Sequence, residues 1–308
     1  MNVVTEIERI MVLGAGGRVG SALCKEINPE QLIPRTRETL DIRDAATIRQ
    51  HLEAVRPTIV INVASADPRK HDARDLYEIN VCGSRNVLAA CGDLGVPLIH
   101  LSNGDIFGGF YDQRAYFEDD PCFGIAPTLA SRVCAEHAML LQKQHKTAAY
   151  WRSGFRFWLV RSSLLFASPH KFTGGYVHDL VQRLESKRTD IHESTETVRS
   201  PTYIPWLAKE LLWLAENRSK VMEGVYHICS TGQASLYNIA NYISTRIRHS
   251  GARVVPCSHE DYAKREGFSA HSFAKHVPLN NDKWAAVRGG SLPTWQTQLD
   301  MLLRAGTE

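Results

Sequence analysis

Val12-Leu13-Gly14-Ala15-Gly16-Gly17-Arg18-Val19-Gly20 is the segment of this 308-residue chain whose residue types most directly suggest chemistry. Glycines 14, 17 and 20 stand at GxxGxxG spacing, after an apolar run and ahead of a helix-forming one. A strand that turns straight into a helix leaves N–H groups unpaired at the helix start, and residues without side chains let a pyrophosphate reach them. The expectation is a dinucleotide held at Gly14, Gly17 and Gly20, with Arg18 and Val19 beside them. A tight packing turn is the alternative reading of the same glycines. After the second predicted strand, Arg35-Thr36-Arg37 replaces the acidic residue that would hold a free ribose 2′-hydroxyl. Guanidinium groups suit a 2′-phosphate, so Arg35 or Arg37 favours NADP(H), with NAD(H) as the alternative.

Positioning that loop requires a sheet. The runs Ile10-Met11-Val12-Leu13 and Thr58-Ile59-Val60-Ile61 lack alternation, as do parallel strands covered on both faces. From Ile10 to Val63 the pattern is strand, glycine turn, helix, strand, helix, strand. A helix near Leu76 to Leu94, a strand over Val96 to Leu101, a helix from Pro127 and a strand over Phe157 to Arg161 follow. The fold class expected is α/β: a Rossmann-type doubly wound parallel sheet over residues 1–165 that binds the dinucleotide. Residues 166–308 form a smaller C-terminal α/β substrate lobe, not fully separate, with helices over Trp206 to Asn217 and Leu236 to Arg248. Short strands are expected over Val225 to Cys229 and Arg253 to Val255. The ligand pocket is expected at the carboxyl ends of the strands, where the strand order switches, closed by the C-terminal lobe.

Composition narrows the partners. Hydrophobic residues at 44% and charged residues at 22% exclude disordered, collagen-like and coiled-coil chains. A net charge of +3 is too small to argue for nucleic acid or an anionic membrane. The longest stretch without Asp, Glu, Lys or Arg, Gly224 to Thr245, is too rich in His, Ser, Thr, Gln and Asn to span a membrane. Met1 to Arg9 shows no secretory apolar region, so the cytoplasm is the compartment expected. Seven scattered cysteines, never at ligand spacing, read as reduced thiols, and no metal is assigned.

Further motifs extend along the chain: Thr39-Leu40-Asp41-Ile42-Arg43-Asp44, Arg56-Pro57-Thr58-Ile59-Val60-Ile61-Asn62-Val63-Ala64 and Ile79-Asn80-Val81. His100-Leu101-Ser102-Asn103-Gly104-Asp105-Ile106-Phe107, Arg161-Ser162-Ser163, Ser200-Pro201-Thr202-Tyr203 and Leu279-Asn280-Asn281-Asp282-Lys283-Trp284 continue them. Together they resemble the extended short-chain dehydrogenase/reductases, specifically the dTDP-4-dehydrorhamnose reductase branch. The resemblance implies that Asp41 and Ile42 sit at the adenine and Ala64 near the cofactor phosphates and ribose. It implies a nucleotide-linked sugar in the C-terminal lobe.

Members of this branch reduce a 4-keto sugar with a Thr, a Tyr and a Lys, the last two spaced YxxxK. Counting along the motifs places those three positions at Asn103, Thr128 and Arg132, all of altered type. Ketone reduction needs a proton donor at the forming alkoxide, a task that suits Tyr beside an ammonium and not an aliphatic hydroxyl. Arg132 remains able to hold the cofactor ribose or an anion, Asn103 to polarise a carbonyl, and Ser102 to contact substrate. Asp105, Tyr111, Tyr116 and His137 are the candidates for a replacement acid. The leading reading is an NADP(H)-binding oxidoreductase acting on a nucleotide-linked or related sugar. The alternatives are a regulatory or binding protein that keeps the cofactor fold, with a homodimer or enzyme partner, and a non-redox isomerase or dehydratase.

Overall fold

The computed structural model describes residues 8–67, 70–109, 114–124, 127–145, 151–167, 174–186, 190–247, 252–267, 269–270 and 273–305. In chain order the first half holds β1 (Ile10–Leu13), α1 (Arg18–Glu26), β2 (Leu32–Arg35), α2 (Ala45–Val55), β3 (Ile59–Asn62) and α3 (Ala73–Tyr77). A π-helical segment, Glu78–Gly83, joins α3 to α4 (Ser84–Leu94), before β4 (Leu98–Asn103), α5 (Pro127–His145) and β5 (Phe157–Ser162). Then come β6 (Leu165–Phe166), α6 (Tyr176–Glu185), β7 (Ile191–Ser194), β8 (Val198–Arg199), β9 (Thr202–Tyr203), α7 (Ile204–Glu216) and β10 (Gly224–His227). The chain closes with β11 (Ala234–Ser235), α8 (Leu236–Ser244), β12 (Val254–Cys257), α9 (His259–Arg265), α10 (Asp282–Arg288) and α11 (Trp295–Ala305).

A six-stranded sheet runs in the order β2-β1-β3-β4-β5-β10. β1 pairs in parallel with β2 on one side and β3 on the other, and β3 pairs in parallel with β4. This doubly wound order reverses its direction of travel between β1 and β3, which makes that crevice the switch point. Every residue of β1 and β3 is buried, as their unalternating apolar sequences require of strands covered on both faces.

Contacts divide the chain into two compact units. Met1–Ser102, Ser131–Val160 and Ala208–Val225 form the first; Asn103–Ala130, Arg161–Leu207 and Tyr226–Glu308 form the second. Residue 165, the boundary expected from sequence, falls inside Arg161–Leu207. In the first unit Met11, Val60, Leu88, Leu98 and Leu159 belong to one core. The second unit is built around Phe166, Leu180, Ile239, Trp295 and Leu299, with β7 parallel to β12 and β8 antiparallel to β11.

Local chemistry fixes the element ends near the crevice. The Asp44 carboxylate accepts the Thr47 N–H and caps α2, which terminates at Arg56 in the left-handed region. At the end of β4 the Asn103 side chain accepts the Asp105 N–H at 2.9 Å and starts a 3₁₀ turn, Gly104–Phe107.

Candidate functional site

The glycine loop closes β1 onto α1 through contacts that exclude side chains. Gly14 has φ +82°, and a Cβ there would lie 2.7 Å from the backbone of Ala64. A Cβ on Gly20 would lie 2.1 Å from the Gly14 carbonyl oxygen. These two glycines let β1, the strand-to-helix turn and the segment after β3 approach one another. Gly17 is the N-cap of α1, with no side chain bonded to the helix start and no acidic residue in the first turn. The amides and partial positive charge of that terminus therefore meet no competing carboxylate from the helix itself.

A cleft of about 320 Å³ opens at this switch point, lined by Gly14, Gly16, Gly17, Thr36, Arg37, Asp41, Ile42 and Ala64 among others. The first unit thus brings together Gly14, Gly17, Asp41, Ile42 and Ala64, all marked by the sequence. Gly20, Arg18 and Val19 do not line the cleft; Val19 is buried in α1, and Gly20 serves the packing of the turn.

The two arginines after β2 separate. The Arg35 carbonyl accepts the Gly14 and Ala15 N–H groups, and its Nη1 donates to the Pro34 carbonyl. It is Arg37 that lines the cleft. The cause is a turn in which Thr36 N–H donates to Thr39 Oγ1 at 2.9 Å and Leu40 N–H to the Thr36 carbonyl, so the chain corners beyond Thr36. The same corner brings Glu38, the residue after Arg35-Thr36-Arg37, to the cleft. Hydrogen bonding from Thr36 and the backbone holds the Glu38 carboxyl below its ordinary range. Asp41 is gripped by Arg43, whose Nε reaches both carboxylate oxygens at 3.1 and 3.0 Å, and this pairing lowers the Asp41 pKa.

Ala64 also borders a narrower polar recess with Ser65, Asn80, His100, Ser102 and Arg132. Arg132 Nη2 donates to Ser65 Oγ at 2.9 Å. Asn80 accepts the Ala66 N–H through Oδ1 and donates to Ser131 Oγ at 3.0 Å. Behind them Asn62 Nδ2 donates to His100 Nδ1 at 3.1 Å, leaving the His100 proton on Nε2. Burial, reinforced by the Arg132 charge, pushes the His100 pKa down to about 4. The recess offers permanent positive charge from Arg132, a neutral imidazole and hydroxyls, a set suited to an anion or to polyhydroxyl groups.

Of the remaining sequence-marked positions, Asn103 falls in the second unit and Thr128 in α5, where its side chain lies outside the described residues. Tyr111 also lies outside them. Tyr116 is fully buried and stacked on Phe107 with centroids 4.4 Å apart. Asp105 pairs with Arg199 Nε at 2.9 Å, and His137 is exposed on α5. Sequence reasoning missed Glu38, Ser65 and His71 as cleft residues. Only the Thr36/Thr39 pair, a turn former on either side of Arg37 and Glu38, signalled the first of these.

Among the described residues no helix is long and apolar enough to cross a membrane, and no group of His, Cys, Asp and Glu is placed to hold a metal. The chain is 26% identical over 309 residues to dTDP-4-dehydrorhamnose reductase of Mycobacterium tuberculosis, covering 97% of this chain and 93% of that one. It is 24% identical over 277 residues to the spore coat polysaccharide biosynthesis protein SpsK of Bacillus subtilis, covering 87% and 89%. Among solved structures it superposes on the Bacillus anthracis dTDP-4-dehydrorhamnose reductase in complex with NADP, with TM-score 0.80, 24% identity and coverage of 97% and 99%. The Thermus thermophilus UDP-glucose 4-epimerase complex with NAD gives TM-score 0.74 at 18% identity, covering 97% and 99%. Residues 8–307 match the RmlD substrate binding domain, and the chain belongs to that family.

Proposed function

We propose that this chain is an NADP(H)-dependent oxidoreductase acting on a nucleotide-linked sugar, with an altered set of groups at the reacting carbonyl. The observation that carries the reading is the continuous lining through Ala64. A helix start with no side-chain cap and no acidic residue in its first turn at one end suits a pyrophosphate, and the Arg132 recess at the other suits a ribose or sugar. When bound, the nicotinamide supplies or accepts the hydride. The chain's own residues do the rest: Gly14 and Gly17 admit the phosphates, Asp41 and Ile42 border the adenine, and Arg37 faces the 2′-phosphate. Arg132, Ser65 and Ser102, which share the recess, orient the nicotinamide ribose and the sugar, and Asn103 and Thr128 hold the sequence positions that the resemblance assigns to the reaction. The relatives named as dTDP-4-dehydrorhamnose reductases support this substrate class.

A second reading, a binding protein that keeps the cofactor and has lost the reaction, is favoured by one observation. Among the described residues, Tyr116 is locked in a ring stack, Asp105 is ion-paired and His137 is turned to solvent, so none stands ready as the missing acid. Calorimetric titration with NADPH and a turnover assay on a dTDP-4-dehydro-6-deoxysugar separate the two. NADPH binding abolished by Gly17→Val, with measurable NADPH oxidation, is the expected result. Tight NADPH binding without oxidation of any nucleotide-linked keto sugar selects the second reading, and no dinucleotide binding at all overturns both.

A further inference from the structure

We infer that His71 is a positioning residue for dinucleotide selection: it holds the Arg37 guanidinium over the cleft, ready for a 2′-phosphate. The inference rests on the cofactor reading above and goes beyond it by assigning the group that aims the arginine. His71 follows β3 by nine residues and lines the same cleft as Arg37, Thr36 and Glu38.

Its ring is held at both nitrogens. Nδ1 lies 3.0 Å from the Asp67 carbonyl oxygen, which only accepts, so Nδ1 carries the proton. Nε2 lies 3.4 Å from Arg37 Nη1, which only donates, so Nε2 presents its lone pair. The two contacts demand the same neutral tautomer. The Asp67 carbonyl also accepts the Lys70 N–H at 3.0 Å.

Arg37 would otherwise have two competing partners. Asp41 Oδ2 stands 4.0 Å from its Nε, but both Asp41 oxygens are already engaged by Arg43. Glu38 borders the cleft directly beside it in sequence and repels a phosphate. The side chain is 56% exposed, and an arginine so placed samples many rotamers unless something selects one. His71 is the neutral acceptor that does so without cancelling the guanidinium charge, leaving the remaining N–H donors for phosphate oxygens. Ordering the arginine before the ligand arrives lowers the entropy lost on binding. Arg35, with Nη1 turned to its neighbour's carbonyl, has no such arrangement.

Titrations of the full chain with NADPH, NADH and adenosine 2′,5′-bisphosphate test this. His71→Asn keeps an amide donor where Nδ1 stands and removes the acceptor facing Arg37; it is expected to weaken NADPH and the bisphosphate by about tenfold and leave NADH unchanged. His71→Gln, which can offer an oxygen near the Nε2 position, is expected to recover part of that loss. Arg37→Ala should abolish the preference, and adding His71→Asn to it should have no further effect. Glu38→Gln should strengthen NADPH binding several-fold. Equal losses for NADPH and NADH in His71→Asn, or additive losses in the double variant, overturn the inference and leave the cofactor reading standing. Failure of the unmodified chain to bind any of the three ligands overturns both.

Discussion

Asn62 and His100 face each other on the neighbouring strands β3 and β4, with Nδ2 donating to Nδ1 at 3.1 Å and both side chains buried. The imidazole is kept neutral inside the fold, its pKa down at about 4, whereas an unfolded chain protonates it near its ordinary value of about 6.5. The fold therefore has its full His100 contribution above about pH 6.5 and loses it as pH falls toward about 4, because the unfolded state binds the extra proton. The shift corresponds to about 3 kcal/mol. His227, buried and pushed down to about 3, acts in the same direction. Denaturant unfolding as a function of pH should show this decline, and His100→Gln should make it shallower. A slope unchanged by that substitution would mean His100 does not titrate between folding and unfolding.

Another buried titratable group, a carboxyl, lies in the other unit. Glu193 is fully buried on β7, where Tyr176 donates to Oε2 at 2.9 Å and Arg183 pairs with Oε1. Burial outweighs the arginine and lifts the Glu193 pKa to about 7, with Glu266 adding repulsion; Tyr262 stands nearby. A carboxyl raised in the fold stabilises most below its unfolded pKa of about 4.5, and that gain fades as pH climbs through about 7. Arg183→Leu leaves an uncompensated buried carboxylate, expected to cost about 3 kcal/mol at about pH 8. At about pH 5 the carboxyl is protonated, and the same variant should cost much less. Equal costs at the two pH values would show that Arg183 acts through packing alone.

The glycines of the loop should differ sharply from one another. A Cβ on Gly20 meets backbone atoms, the Gly14 carbonyl oxygen at 2.1 Å and Ala15 Cα at 2.8 Å, so no side chain can yield. A Cβ on Gly16 finds only the Thr36 side chain, Cγ2 at 3.6 Å and Cβ at 4.0 Å, ordinary contacts. Thermal melts should place Gly20→Ala about 1–3 kcal/mol below the unmodified chain. Gly16→Ala should stay within about 0.5 kcal/mol of it. Similar losses in both would mean that the loop is not packed as described.

That contrast also marks how far the sequence could be read. GxxGxxG spacing after an unalternating apolar run was enough to place the cleft, because covered parallel strands and strand-to-helix turns leave strong local signatures. Which of two nearby arginines faces the cleft was not legible, since it depends on the turn made by Thr36 and Thr39. His71 reaches Arg37 across 34 positions of sequence, a contact set by the pairing of β1 with both β2 and β3. The second unit was read least well. Its two-residue strands β6, β8, β9 and β11 are too short to carry a period, and no local pattern sets the buried Glu193 apart from a surface acid.

If Asn103, Thr128 and Arg132 stand where the family has Thr, Tyr and Lys, putting those residue types back should raise turnover. Asn103 uses Oδ1 to cap the Asp105 N–H, a role that a threonine hydroxyl can also fill, so Asn103→Thr should preserve the turn after β4. Arg132→Lys keeps the positive charge while giving up the guanidinium fork now bonded to Ser65. Thr128→Tyr supplies a phenol whose pKa an adjacent ammonium can draw toward neutrality. The triple variant should therefore oxidise NADPH with a dTDP-4-dehydro-6-deoxysugar about 10²–10⁴ times faster than the unmodified chain, the range associated with general acid catalysis. Arg132→Lys alone should give little, because no acid accompanies it. A triple variant that still binds NADPH yet shows no gain would mean that these three positions do not serve the reaction. Unmodified turnover already in the range of about 1–10³ s⁻¹ would mean that a different acid serves the site.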